Sequence, residues 1–511
     1  MPTPIINSVA SWFLKKRIHQ MELFYKYPSD VQYELLMNLL NTAKHTHIGS
    51  LYEFNTISNY YQFASRVPLS TYEDQENLIT RCRKGENNLF WPTPIKWFAK
   101  SSGTTNAKSK FIPVSQASLL DCHYKASKDL LCLYFNNNPD SKLLAGKSLR
   151  LGGSKQLHKH NNTYFGDLSA ILIDNMPFWA DKSSTPSSKV SLMSNWEEKT
   201  DAIIQETLSQ NVTSLAGVPS WMLVLLNKII DQNHITNLSE IWPNLEVYFH
   251  GGVSFSPYRE QYKQILPSTA QFYEVYNASE GFFALQDQNN SDELLLMLDY
   301  GIFYEFIEMT SFHTDNPKVV PLSEVEKDIN YAIVITTNAG LWRYIIGDTC
   351  RFTSTSPYRI KITGRTKHFI NVFGEELIIE NAEDALKKVC AEMNCEVKDY
   401  TVAPIFMSSD TKKGAHEWVI EFGRRPENME AFRILLDHEI QQLNSDYEAK
   451  RHHNTTLTLL EINVAPEGLF YNWLKSKGKL GGQHKIPRLS NTRVYLEELK
   501  RLEVGAESFV V

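Results

Sequence analysis

No two cysteines in this chain form a CxxC pair, and a structural zinc site needs its ligands clustered at short spacings. The six that exist, Cys82, Cys122, Cys132, Cys350, Cys390 and Cys395, are scattered, which predicts reduced, mostly buried thiols in a cytoplasmic protein. Histidine supplies no metal centre either. His158 and His160, and the pair His452–His453, have no carboxylate or cysteine at ligand spacing, and both stretches read as solvated loops. No run approaches the ~18 uninterrupted apolar residues of a membrane span. The apolar stretch near the N-terminus is followed by Lys15, Lys16 and Arg17, the reverse of a secretory signal, and reads as an amphipathic helix. Charge of one sign is also missing. With 52 basic and 58 acidic residues the net charge is −6, which draws the chain toward neither nucleic acid nor anionic lipid, so small-molecule partners are expected. There is no repeat of fixed period. The one biased tract, Asp181 to Lys189 (DKSSTPSSK), reads as a surface loop. No Ser-His-Asp or Cys-His set offers a nucleophile.

What is present is the composition of a soluble globular protein, 42% hydrophobic and 22% charged over 511 residues. From about Ser8 to Asn41 apolar residues recur at three and four, which predicts helices. The middle of the chain alternates β-rich runs (TSLAGVPS, LEVYFHGGVSF, QFYEVYNAS) with helical ones (WMLVLLNKIIDQ). That alternation predicts α/β architecture, parallel sheets wrapped by helices. A β-rich stretch follows, with LLLMLDYGIFYEFIEM and NYAIVITTNAGLWRYIIGDTCRF. The texture then changes to a smaller α+β unit, with the boundary expected around Gly364 to Lys367, giving domains of residues 1–365 and 366–511.

Four loop segments carry candidate chemistry. The first is FAKSSGTTNAKSKFIP, Phe98 to Pro113. A Walker A loop would need a second glycine at position 108, where this chain has Lys108, so it is not a P-loop. Ser101, Ser102, Thr104 and Thr105 still form a hydroxyl-rich turn able to donate to phosphoryl oxygens. The second is YNASEG, Tyr276 to Gly281, which puts an aromatic ring, a hydroxyl and a carboxylate on one turn. Read alone, Ser279 and Glu280 also make a helix N-cap. In the third, WRYIIGD, Gly347 permits a turn that leaves Asp348 at its exit. The fourth, GGQHKIPRL, presents Lys485 on a hairpin.

In this order and spacing the four segments resemble the Gretchen Hagen 3 family, the auxin-responsive acyl-acid amido synthetases, and the chain looks like a bacterial-type member. The resemblance spans essentially the whole sequence. It implies the adenylate-forming fold, a large N-terminal domain with a small mobile C-terminal lid. It also implies a two-step ligase reaction that uses ATP and Mg²⁺ to join a carboxylic acid to an amino acid. Carried over position by position, Ser101, Ser102, Thr104 and Thr105 would hold the β- and γ-phosphates. Gly251 and Gly252 would let adenine approach the backbone, Tyr276 would lie against it, and Ser279 would meet the α-phosphate. Glu280 would bind Mg²⁺, Asp348 the ribose hydroxyls, and Arg365 the ribose or phosphate. Lys485 would swing in from the lid about a hinge at Arg365–Lys367.

The chain departs from the plant pattern at Ala107, where a glycine is usual. A further departure is the extra residue between Arg343 and Gly347, so Arg343 or Tyr344 could take the register of the third motif. No role is transferred to Glu375 or Glu376. The helix over Ser115 to Phe135, FGDLSAIL and GVPSWMLVLL with Trp221 are candidates for an acyl pocket and equally for plain core. An acyl-CoA ligase, another adenylate-forming ligase and a non-catalytic nucleotide-binding protein are the alternative readings.

Overall fold

Short β-rich runs separated by helices can pair in parallel only if each crossover carries the chain back over the sheet. In the computed structural model this is how five strands are arranged, in the order Ser184–Thr185, Lys147–Arg150, Val212–Gly217, Val247–Gly251 and Gln271–Ala278. The residues described are 16–101, 110–152, 158–160, 162–176, 181–193, 195–252, 255, 258–312, 314–366, 369–375, 377–407, 413–452, 456–477 and 486–507. One crossover is the helix Pro219–Asn233, started by proline in its first turn. Its Met222, Leu223, Leu225, Leu226 and Ile229 are wholly buried, the apolar stripe of a helix laid on a sheet.

Gln271–Ala278 is where strand direction changes. It runs parallel to Val247–Gly251 on one side and antiparallel to Gly281–Leu285 on the other. Beyond it the strands Leu294–Leu296, Tyr358–Arg365, Tyr344–Thr355, Asn330–Thr337, Ile302–Glu308 and Val319–Pro321 complete a twelve-stranded sheet. The fold is mixed α/β, with a parallel, helix-covered half and a β-rich antiparallel half. A separate four-stranded sheet has the order Lys110–Val114, Trp97–Ser101, Thr163–Gly166 and His158–His160.

Two compositional expectations fail here. The tract from Asp181 to Lys189 is not simply a surface loop, because Ser184–Thr185 pairs as an edge strand and both residues are under a tenth exposed. His158–His160 is likewise a strand, paired with Thr163–Gly166. In each case a polar sequence is recruited by a neighbouring strand with unpaired backbone groups, which composition does not register. Among the described residues no helix is long and apolar enough to cross a membrane, and no group of three or more His, Cys, Asp or Glu could hold a metal ion. The six cysteines are free, and all but Cys390 are buried.

Packing divides the chain into two units, the first ending at Thr366 and the second running from Lys367 onward, together with residues 253–262. In the second unit, Glu396–Ile405 lies antiparallel to Ala415–Arg424, which runs parallel to Glu461–Ala465. The helices Ile379–Glu392, Met429–Leu443, Leu469–Ser476 and Val494–Glu507 accompany this sheet. Within this unit the Tyr258 hydroxyl donates to the Val372 carbonyl (3.0 Å) and Gln261 to that of Met407 (2.7 Å).

Glu375, given no role from sequence, anchors the turn before it. Its carboxylate accepts the backbone N–H groups of Val372 and Phe373, each at 2.7 Å, and lies 2.7 Å from Nε2 of the fully buried His416. Burial alone would raise its pKa, but His416 and the two amides outweigh burial and hold it below the ordinary carboxylate range. A depressed folded pKa stabilises above the unfolded value of about 4.3, and that contribution is lost as pH falls through the folded pKa. Glu375→Gln is therefore expected to lower stability at neutral pH by about 1–3 kcal/mol and to flatten the acid limb of stability. Thermal melts from pH 7 to pH 3 test this. Parallel acid limbs in the two proteins would contradict it.

Candidate functional site

Ligands of open α/β sheets bind beyond the carboxyl ends of the parallel strands, and Gly251, Gly252, Ser279 and Glu280 lie at such ends. Gly251 ends one such strand, paired with Val275. A Cβ there would stand 2.4 Å from the Val275 carbonyl oxygen, so only glycine allows that pairing distance. Gly252 follows at φ +86°. On the next strand Tyr276 is still in the ladder, and Ser279 and Glu280 are the two residues of a hairpin joining Ala278 to Gly281. The N-cap alternative is overturned, since no helix begins here. The two flanking runs pair with each other instead.

Ser101 ends the strand Trp97–Ser101, and its cross-strand partner is Lys110. The two strands that flank residues 102–109 are thus paired with each other. Ser102, Thr104 and Thr105 lie outside the described residues, as does Lys485 in the second unit. Lys110 was not among the sequence candidates, yet its charge acts directly on Glu280. The available signal was its place at the start of the strand leaving the hydroxyl-rich segment.

The third motif is not a turn. Tyr344–Thr355 is one continuous twelve-residue strand, through which Gly347 passes at φ +91° beside a register shift. Asp348 stands directly opposite Arg365 on the next strand. Arg365 Nε donates to Asp348 Oδ1 at 2.7 Å, and the Tyr276 hydroxyl donates to Oδ2 at 2.7 Å. Tyr276 is 9% exposed and packs on Phe283, with 4.8 Å between ring centroids.

Glu280 completes the group. Burial pushes its pKa up to about 7, against the pull of Lys110 and Arg365, while Asp348 adds a smaller push upward. One carboxylate cannot hold Mg²⁺ alone, but Mg²⁺ is usually bound by one or two carboxylates plus substrate phosphates, and Glu280 fits that part.

The two open candidates of the third motif separate cleanly. Arg343 is buried and committed. Its Nε and Nη2 bond Glu305 at 3.0 and 2.8 Å, and Nη1 donates to the carbonyls of Ala64 and Val67. Tyr344 is fully buried, its hydroxyl has no hydrogen-bond partner among the described residues, and Glu280 is the strongest charge acting on it. Helical residues run from Gln116 to Asn137, with a π-helical turn at Leu119–Tyr124. There Cys122 Sγ accepts the N–H of Phe282, two residues beyond Glu280.

Sequence comparison matches this chain, in order, to the GH3 family N-terminal domain over residues 17–271, its central domain over 295–365 and its C-terminal domain over 380–494. The chain belongs to the GH3 family. Among its relatives, an indole-3-acetic acid-amido synthetase of Arabidopsis thaliana is 23% identical, over 90% of this chain and 89% of that protein. A 4-substituted benzoates-glutamate ligase of the same plant is 25% identical over 87% and 90% of the two chains. A jasmonoyl-L-amino acid synthetase of Nicotiana attenuata is 23% identical over 95% of each. These relatives are plant proteins, and they lend no support to a bacterial-type assignment of this GH3 member. The fold is shared with a solved GH3 acyl acid amido synthetase (TM-score 0.59, 20% identity, 93% of each chain). It is shared also with a 2-hydroxyisobutyryl-CoA ligase (TM-score 0.57, 13% identity, 94% and 93%), so the GH3 fold is that of adenylate-forming ligases.

Proposed function

We infer that this protein is an acyl-acid amido synthetase. A carboxylate oxygen of the acid attacks the α-phosphorus of ATP, forming the acyl-adenylate as pyrophosphate leaves. The amine of an amino acid then attacks the acyl carbon, and AMP leaves as the amide forms and a proton is released. The observation that carries this reading is the convergence of two motifs distant in sequence, YNASEG through Tyr276 and Glu280 and WRYIIGD through Asp348, joined by Arg365, in a chain matched by GH3 domains.

The chemistry asks for charge neutralisation and positioning more than for a nucleophile. Asp348 accepts the ribose hydroxyls, with Arg365 beside it, while Tyr276 and Gly251–Gly252 border the adenosine end. Ser101, Ser102, Thr104 and Thr105 donate to the leaving phosphates and Ser279 to the α-phosphate. Glu280 holds Mg²⁺ together with those phosphates, and the ion, when bound, offsets their charge. Lys485 supplies a further cation toward the transferring phosphate. The helical face from Gln116 to Asn137 and Trp221 border the acid. The amino acid acceptor of the curated relatives favours an amine over CoA.

The test is pyrophosphate release from ATP and Mg²⁺ over a panel of aryl, indole and fatty acids, with and without pooled amino acids. Acid-dependent release, lost in Lys485→Ala, with amide products identified by mass spectrometry, is the expected result. AMP release only on addition of CoA would move the protein to the thioester ligases. ATP binding without turnover on any acid would leave a nucleotide-binding protein.

A further inference from the structure

Resting on that reading, we propose that Tyr276 is a positioning residue. Its hydroxyl, acting with Arg365, fixes the Asp348 carboxylate so that it recognises the vicinal hydroxyls of a ribonucleotide. An ionised carboxylate offers about four acceptor sites, two on each oxygen. Here one site on Oδ1 is taken by Arg365 Nε and one on Oδ2 by the Tyr276 hydroxyl, each at 2.7 Å. Among the described residues no other side chain is bonded to the carboxylate, which leaves one site on each oxygen. A carboxylate held this way presents two acceptors side by side, matching the two adjacent donors of a ribose and not a single isolated hydroxyl.

The clamp is rigid on both flanks. Arg365 faces Asp348 across a paired strand. Tyr276 lies in the ladder of its own strand, with its ring in the core against Phe283. Burial, reinforced by Asp348, raises the phenol pKa well above its usual value, so the tyrosine keeps its proton and always donates. Asp348 thereby stays an acceptor on both oxygens. Without the hydroxyl, the carboxylate is held at Oδ1 alone, gains freedom about its Cβ–Cγ bond and must be ordered further when nucleotide binds. Tyr276 as a whole is 9% exposed, and its hydroxyl is the part that meets the ribose-binding carboxylate.

The experiment measures binding of ATP and 2′,3′-dideoxy-ATP to the full chain by calorimetry, for wild type, Tyr276→Phe and Arg365→Lys. The wild type is expected to favour ATP by about tenfold or more, the worth of hydrogen bonds to a charged group. Tyr276→Phe is expected to weaken ATP several-fold and leave the dideoxy analogue unchanged, so the preference shrinks. Arg365→Lys, which drops the Nε contact but keeps the charge, should shrink it likewise and tests the clamp even if Tyr276→Phe folds poorly. Equal weakening of both nucleotides by Tyr276→Phe would mean the tyrosine acts through packing alone. An undiminished preference would remove the hydroxyl from nucleotide recognition. A wild type without any preference would instead overturn the ribose assignment of Asp348 itself.

Discussion

Asp348→Ala is expected to lose acid-dependent pyrophosphate release by roughly 10²–10⁴-fold in kcat/KM for ATP, the worth of two hydrogen bonds to a charged group. The side chain is 12% exposed and holds two partners. Its removal therefore leaves a buried tyrosine hydroxyl unpaired as well. That orphan costs about 1–3 kcal/mol of stability, whereas Arg365, 22% exposed in its side chain, can turn to solvent. Activity should accordingly fall far more than stability does. Steady-state kinetics alongside a thermal melt separates the two, and a variant within threefold of wild-type kcat/KM would remove Asp348 from the site. Asp348→Asn, which keeps the volume but exchanges one acceptor for a donor facing Tyr276 or Arg365, should be nearly as impaired.

The second large effect is on stability. Glu305→Gln is expected to destabilise the first unit by about 3–5 kcal/mol, because it leaves the Arg343 guanidinium buried without its countercharge. The two side chains are 1% and 6% exposed, and the Tyr60 hydroxyl also donates to Glu305 at 3.1 Å. Replacing both partners at once, Glu305→Met with Arg343→Met, should do less harm than either single change, since an apolar pair carries no desolvation penalty. Urea unfolding followed by circular dichroism reads the wild type, Glu305→Gln, the two single methionine variants and the double variant. A single Glu305→Gln variant that unfolds with the wild type would show that the pair contributes little.

Arg343 also shows what a motif leaves open. By sequence it and Tyr344 could each take the register of the third motif. Here Arg343 adopts φ +45° and turns into the core toward Glu305, a partner 38 residues away. Nothing local in WRYIIGD encodes that partner. Glu280 was legible as a carboxylate on a connection between two apolar runs, but its raised pKa was not. That shift comes from burial, which outweighs the opposing charge of Lys110 and is helped a little by Asp348, groups that only packing brings near. Gly251 was legible as a glycine, but the reason for it, the Val275 carbonyl of the neighbouring strand, was not.

The sequence by itself determined the alternation of strand and helix, and hence the parallel half of the sheet, because periodicity and turn residues act over a few neighbours. It determined also which residue types, hydroxyls, glycines, two carboxylates and one arginine, the candidate segments carry. Only the tertiary structure decided that Tyr276 and Asp348 meet. Three strands lie between theirs in the sheet order, so a flat sheet at about 4.8 Å per strand would hold them about 19 Å apart. A 2.7 Å hydrogen bond requires the sheet to curl. Curl is a collective outcome of strand twist and bulges across many residues, which no single stretch of sequence contains.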